Sequence, residues 1–223
     1  MQAQADPFIV PFCHEQIEII YQDKHILLIN KPTRLLSLSG KHPLNKDSVH
    51  YRLVQDFPTA TLAHRLDFGT SGIMLVALNK EVNGLLTKQF QARTTHKTYT
   101  AMLFGNVPVN EGCIDFPIAK DQINFPLQKI CHETGKSALT YFDVLKRQLK
   151  PDITRVLFKP VTGRTHQLRI HSQALGYPIL GCDLYASDAA YAMSDRLMLH
   201  ATSLSFQHPM TGETIHGHCE CPF

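Results

Sequence analysis

His64-Arg65-Leu66-Asp67, followed by Phe68-Gly69-Thr70-Ser71-Gly72, sets a carboxylate beside a guanidinium in a segment holding two glycines. On a strand end, residues two apart share a face, so Arg65 and Asp67 would point the same way. The glycines permit a tight loop directly after them. A carboxylate so placed can attack a substrate and later be released from it, or can take up a proton. The same residues also suit a simple turn in which the aspartate bonds its own backbone. The rest of the chain decides between these.

The elements that would carry this loop are legible from periodicity. Residues 61–66 read as a short strand, and 73–78 as a buried one, since the run from Ile73 to Leu78 is continuously apolar. Upstream, 17–21 and 25–30 read as a hairpin turning at Gln22-Asp23-Lys24, and 48–56 as a short helix closed by Phe57-Pro58. The spacing of Val82, Leu85, Leu86 and Phe90 predicts an amphipathic helix over 80–93. Strands are expected at 98–104, 112–116, 137–144, 154–158 and 197–206, with a second helix at 165–175. Strands in groups, without regular βαβ alternation, indicate an α+β fold with a mostly antiparallel mixed sheet flanked by helices and loops.

Composition narrows the function classes. At 223 residues, 43% of them hydrophobic, the chain can bury a sizeable core as one domain. The expected organisation is an extended arm over 1–16 and a catalytic domain over 17–223. The start carries no basic-then-apolar leader, and no apolar run approaches the roughly 20 residues that span a bilayer. A cytoplasmic location with reduced cysteines is the expectation. Net charge is only +3, but seven Lys and Arg fall between Lys146 and Arg169 against Asp152 alone. Such a stretch can neutralise phosphates along one face, or be an ordinary solvated surface. His216-Gly217-His218-Cys219-Glu220-Cys221 has the right side chains for zinc. It is compressed into adjacent positions whose alternation points them to opposite faces, so no metal is expected there.

Several further segments stand in order along the chain: Asn30-Lys31-Pro32, the run from His64 to Gly72, Lys97-Thr98-Tyr99, and the run from Lys159 through Gly163-Arg164-Thr165-His166-Gln167-Leu168 to Arg169. Gly176-Tyr177-Pro178-Ile179-Leu180-Gly181 and Leu197-Met198-Leu199-His200-Ala201 follow. Together they resemble the RluA family of RNA pseudouridine synthases over nearly the whole chain. The likeness is closest to the short founding member, which lacks an additional N-terminal RNA-binding domain and modifies both a ribosomal RNA loop and a tRNA anticodon loop.

The resemblance implies an isomerase that flips a uridine out of an RNA stem-loop of 23S ribosomal RNA, of tRNA, or of both. No cofactor, DNA or membrane is implied, and nothing requires more than a monomer. Asp67 would be the catalytic carboxylate, by attack on the sugar or by removal of a sugar proton; both routes stay open. Arg169 would pair with it, because an anion in a partly dry pocket is costly alone. Tyr99 would offer its ring to the flipped uracil. Arg65 would fill the vacated stack, with His64 and Lys31 as positioning or phosphate contacts. Arg164 and Gln167 suit RNA or loop contacts. Two departures from the family pattern stand out: Arg34 where a glycine is usual, and Cys182, followed by Asp183, where an acid is usual. They bear on loop shape.

Overall fold

The computed structural model describes residues 9–223, so the first half of the expected N-terminal arm lies outside the described residues. From Ile9 to Ile17 the chain has no helix or strand. Arg52 ties this segment down, donating to the Cys13 carbonyl at 2.5 Å and the Glu15 carbonyl at 2.6 Å while paired with Asp47.

The described residues form two compact units, one running to Thr95 and including 204–220, the other of 96–203 and 221–223. In the first, β1 (Glu18–Gln22), β2 (Ile26–Lys31) and β4 (Ser71–Ala77) lie in that order, all antiparallel. The β1–β2 turn forms at Asp23, whose Oδ1 accepts from the amides of His25 and Ile26 at 2.7 and 2.8 Å. Every residue of β4 is buried. Each such aliphatic side chain contributes roughly 1.5–3 kcal/mol. That makes β4 a rigid base for the loop that precedes it. Helix α1 (Val49–Asp56) starts where Ser48 caps the Tyr51 amide. Helix α2 (Lys80–Ala92) starts where Asn79 caps Val82, and ends on Arg93 in the left-handed region. The expected helical face is present, with Val82 and Leu86 buried.

In the second unit the order is β11 (Leu199–Gln207, by its first residues), β5 (His96–Phe104), β10 (Asp152–Pro160), β9 (Leu139–Leu149) and β6 (Glu111–Asp115). The pairings of β5 with β10, β10 with β9, and β9 with β6 are antiparallel. Thr98 meets Ser203 and Thr100 meets Thr202 between β5 and β11, through hydroxyl pairs of 2.6 and 2.7 Å. The core of this unit gathers Ala101, Leu103, Val156, Phe158, Leu168 and Ile170. Helix α3 (Gln167–Ala174) has six consecutive buried residues, from Gln167 to Ser172. It begins two residues later than expected because His166 takes φ +55°. The α+β class and the mostly antiparallel pairing hold.

Not expected among the described residues were the hairpin of β7 (Ile118–Lys120) and β8 (Gln128–Ile130), the short helix α4 (Asp188–Tyr191), and β12 (Thr214–His218) beside β11. The last includes the start of the His/Cys run. A Cβ on Gly217 would lie 2.5 Å from Ile73 Cδ1 and 2.8 Å from Leu28 Cδ1, so glycine lets β12 close on the first unit's core. Among the described residues no group of His, Cys, Asp and Glu side chains is placed to hold a metal ion. None of their helices is long and apolar enough to cross a membrane.

Candidate active site

The expected strand over 61–66 is only two residues long, β3 (Thr61–Leu62), paired with Val76 and Ala77 of β4. At His64 the imidazole replaces the backbone: its Nε2 accepts from the Leu75 amide at 2.9 Å. That satisfies β4 while releasing the chain from the sheet. The accepting nitrogen must be unprotonated, which places the neutral ring's proton on Nδ1. Phe90 holds the ring from α2, with centroids 4.7 Å apart.

Beyond His64 the chain is carried side chain by side chain. The Ser37 hydroxyl donates to the Leu66 carbonyl at 2.7 Å and accepts from the Leu66 amide at 3.1 Å. Leu66 is thereby turned inward, leaving Arg65 exposed and Asp67 half-exposed on either side of it. The alternation read as a strand survives, but a clamp produces it instead of a ladder. The Thr70 amide then donates to the Asp67 carbonyl at 3.1 Å, closing a turn over Phe68 and Gly69. Thr33 Oγ1 donates to the Gly69 carbonyl at 2.7 Å, and Lys31 Nζ to that of Phe68 at 3.3 Å. Gly72, the second residue of β4, takes φ +110°, a backbone that a side chain would resist.

Lys31 is thus a strut. It is fully buried, and its ammonium also donates to Pro32 and Leu35 carbonyls at 2.8 and 2.7 Å. This replaces the expected phosphate contact, which needs an accessible ammonium. Arg34 takes φ +56°, so the turn keeps the left-handed backbone that glycine favours despite the substitution. Thr33 and Ser37, whose hydroxyls hold this segment, are not residues that the sequence singled out.

The second unit holds Tyr99, Arg164, Gln167 and Arg169. Tyr99 is half-buried on β5 opposite Phe158, packed on the core by one part of its ring. Lys97, two residues before it, is half-buried, and that burial pushes its ammonium pKa below the ordinary lysine value. Its Nζ faces Gly163, 3.8 Å from where a Cβ would stand there. Gln167 is a second correction. It is buried, and its Oε1 accepts from Thr162 Oγ1 at 2.8 Å and the Arg164 amide at 2.9 Å. Its Nε2 donates to Thr140 Oγ1 at 2.9 Å and to the Leu139 carbonyl at 3.1 Å. With all four positions used, it locks the loop before α3 in place of contacting RNA. Arg164 stays near the surface, its Nε donating to the Ser137 carbonyl at 3.0 Å.

Arg169 is buried, ion-paired with Asp183, and its Nε donates to Cys182 Sγ at 3.3 Å. Its guanidinium lies 5.3 Å from the centre of the Tyr185 ring. The acid displaced by Cys182 is therefore supplied one residue later. The Tyr185 hydroxyl accepts from the Gln128 amide and shares a hydrogen bond with His166 Nδ1, both at 2.8 Å. The basic stretch around these residues is not one phosphate-facing surface. Arg147 binds the Val107 and Val109 carbonyls, Lys159 pairs with Asp143, and Arg169 is internal.

The first unit carries a carboxylate on a preformed turn; the second carries a half-exposed aromatic and a buried, ion-paired arginine. The chain belongs to the RNA pseudouridylate synthase family, whose model matches residues 25–174. It is accordingly an RNA isomerase. Among its relatives, the dual-specificity RNA pseudouridine synthase RluA of Yersinia pestis is 49% identical over 92% of this chain and 99% of its own. The Escherichia coli K12 protein of the same name is 46% identical over 88% of this chain and 90% of its own. Of solved structures, the human RNA pseudouridylate synthase domain containing 1 is similar at a TM-score of 0.80 and 31% identity, over 96% of this chain and 86% of that one.

Proposed function

We propose that the protein isomerises uridines in stem-loops of both 23S ribosomal RNA and tRNA, with Asp67 as the catalytic carboxylate. The breadth of substrate comes from relatives named dual-specificity enzymes. The observation that supports the role of Asp67 is its turn. Side chains of Lys31, Thr33 and Ser37 bond the carbonyls of Phe68, Gly69 and Leu66, so the carboxylate is oriented before substrate arrives.

In the reaction the bond from ribose C1′ to uracil N1 breaks, the base rotates, and C1′ bonds to C5. N1 gains a proton and C5 loses one. Asp67 initiates the cleavage, by attack on the sugar or by taking a sugar proton. Tyr99 gives the detached uracil an aromatic face, and Arg169 supplies a fixed positive charge. Arg65, exposed beside the turn, holds the emptied place in the stack. The enzyme works as a monomer in the cytoplasm.

Release of tritium from C5-labelled uridine in transcribed 23S stem-loops and tRNA tests the reading. Both are expected to lose label. Loss from one alone removes the dual specificity. Tight binding with no loss from either removes Asp67 as a catalyst for these RNAs and leaves an RNA-binding role.

A further inference from the structure

Ile123 and Phe125 are the most exposed large hydrophobic residues among those described, at 91% and 77%. Isolated surface apolar residues are ordinary. These two sit together at the tip of the β7–β8 hairpin, and the tip has a fixed shape. Asp121 Oδ1 accepts from the amides of Ile123 and Asn124 at 3.2 and 3.4 Å, and Oδ2 from the Asn124 side chain at 2.9 Å. The Leu127 amide donates to Asn124 at 2.8 Å, and the Asp121 amide to Leu127 at 3.0 Å. A preformed projection forfeits little conformational freedom when it binds. At its base the Gln128 amide bonds Tyr185, the residue whose ring lies against Arg169.

We propose that this tip is a stacking site for an unpaired base of the substrate RNA loop. The proposal rests on the RNA-modifying role given above. Bases splayed from RNA loops stack on aromatic side chains, and apolar wedges fill the gaps they leave. Size and charge favour a base over a protein. An aromatic side chain buries about 150–250 Å², whereas a stable protein interface needs roughly 800 Å² from each partner. Exposed Lys120 and Lys129 bracket the tip, and the one acid between them, Asp121, turns its oxygens into the loop. Those lysines suit the phosphates on either side of a stacked nucleotide.

The test compares wild type with Ile123→Ser/Phe125→Ser and with Phe125→Trp. Affinity for a fluorescent substrate stem-loop and for a fully paired duplex of matching length is read by anisotropy, and KM by tritium release. Both side chains are solvent-exposed, so the double variant should melt with wild type. It should bind the stem-loop about tenfold more weakly, the scale of one lost base stack, with KM raised in step and duplex affinity unchanged. Phe125→Trp should bind as wild type does. Unchanged stem-loop affinity, or equal weakening toward stem-loop and duplex, would overturn the proposal. If wild type releases no tritium, the activity reading fails while the two affinities still decide the stacking site.

Discussion

Replacing Ser37 by alanine should cost more activity than its distance in sequence from Asp67 implies. One hydroxyl serves both the amide and the carbonyl of Leu66, at 3.1 and 2.7 Å. Leu66 is 7% exposed and Ser37 6%, so water does not readily take over. Each buried backbone group left without a partner costs about 1–3 kcal/mol. With partial relaxation, the pair should lower stability by about 2–4 kcal/mol. For a chain of this size each kcal/mol is about 2–4 °C of melting temperature, so the midpoint should fall by about 4–16 °C. Leu66 precedes Asp67, and its release lets the carboxylate shift. A displacement near 1 Å can slow an enzyme by about a hundredfold. Thermal unfolding by circular dichroism gives the first quantity. Single-turnover tritium release well below both midpoints gives the second, with RNA affinity measured alongside. The midpoint should fall, turnover should drop ten- to a hundredfold, and affinity should stay nearly unchanged. A variant as stable and as fast as wild type would refute this.

Gln167→Leu should destabilise by about 3 kcal/mol, because Thr162, Arg164 and Thr140 each lose a buried partner. Its RNA affinity, measured below the transition, should match wild type; a fivefold loss of affinity at unchanged stability would restore it as an RNA contact. His171 is buried between Thr140 and the Phe116 carbonyl, and burial, outweighing that carbonyl and Asp115, holds its pKa below the ordinary value. The unfolded chain then takes up a proton near pH 6.5 that the folded one refuses. Stability should therefore be full above that pH and decline as pH falls toward the lowered folded value. His171→Gln, followed by urea unfolding across pH 5–7, should flatten that decline; an unaltered slope would contradict the assignment. Arg65→Ala should slow tritium release about tenfold with no change in melting temperature, since the side chain is exposed; wild-type rates would exclude it from base flipping.

The side chains proposed for the chemistry can be picked out in the sequence; what holds them in place cannot. The outward alternation of Arg65 and Asp67 follows from the apolar Leu66 between them. That a serine 29 residues away enforces it does not, because the contact is made only in the folded chain. Lys31 and Gln167 read as polar, hence as RNA contacts. Their burial is set by carbonyls and hydroxyls converging from distant segments. Arg34 shows the limit of residue preference, since the turn's bonds through Lys31 and Thr33 hold a left-handed backbone without glycine. The helix over 80–93 was legible because one face is apolar. The β7–β8 hairpin was not, since its three-residue strands are short and its apolar side chains face both core and solvent. The run at His216 drew the eye to metal chemistry, where the fold uses it as the end of a strand.

Everything proposed for the chemistry turns on Asp67 and the turn that presents it. Wild type and Asp67→Asn, compared for tritium release from C5-labelled stem-loops and for affinity toward the same RNAs, test it most directly. Release is expected from wild type alone, with both proteins binding equally. Release by Asp67→Asn at the wild-type rate would contradict it.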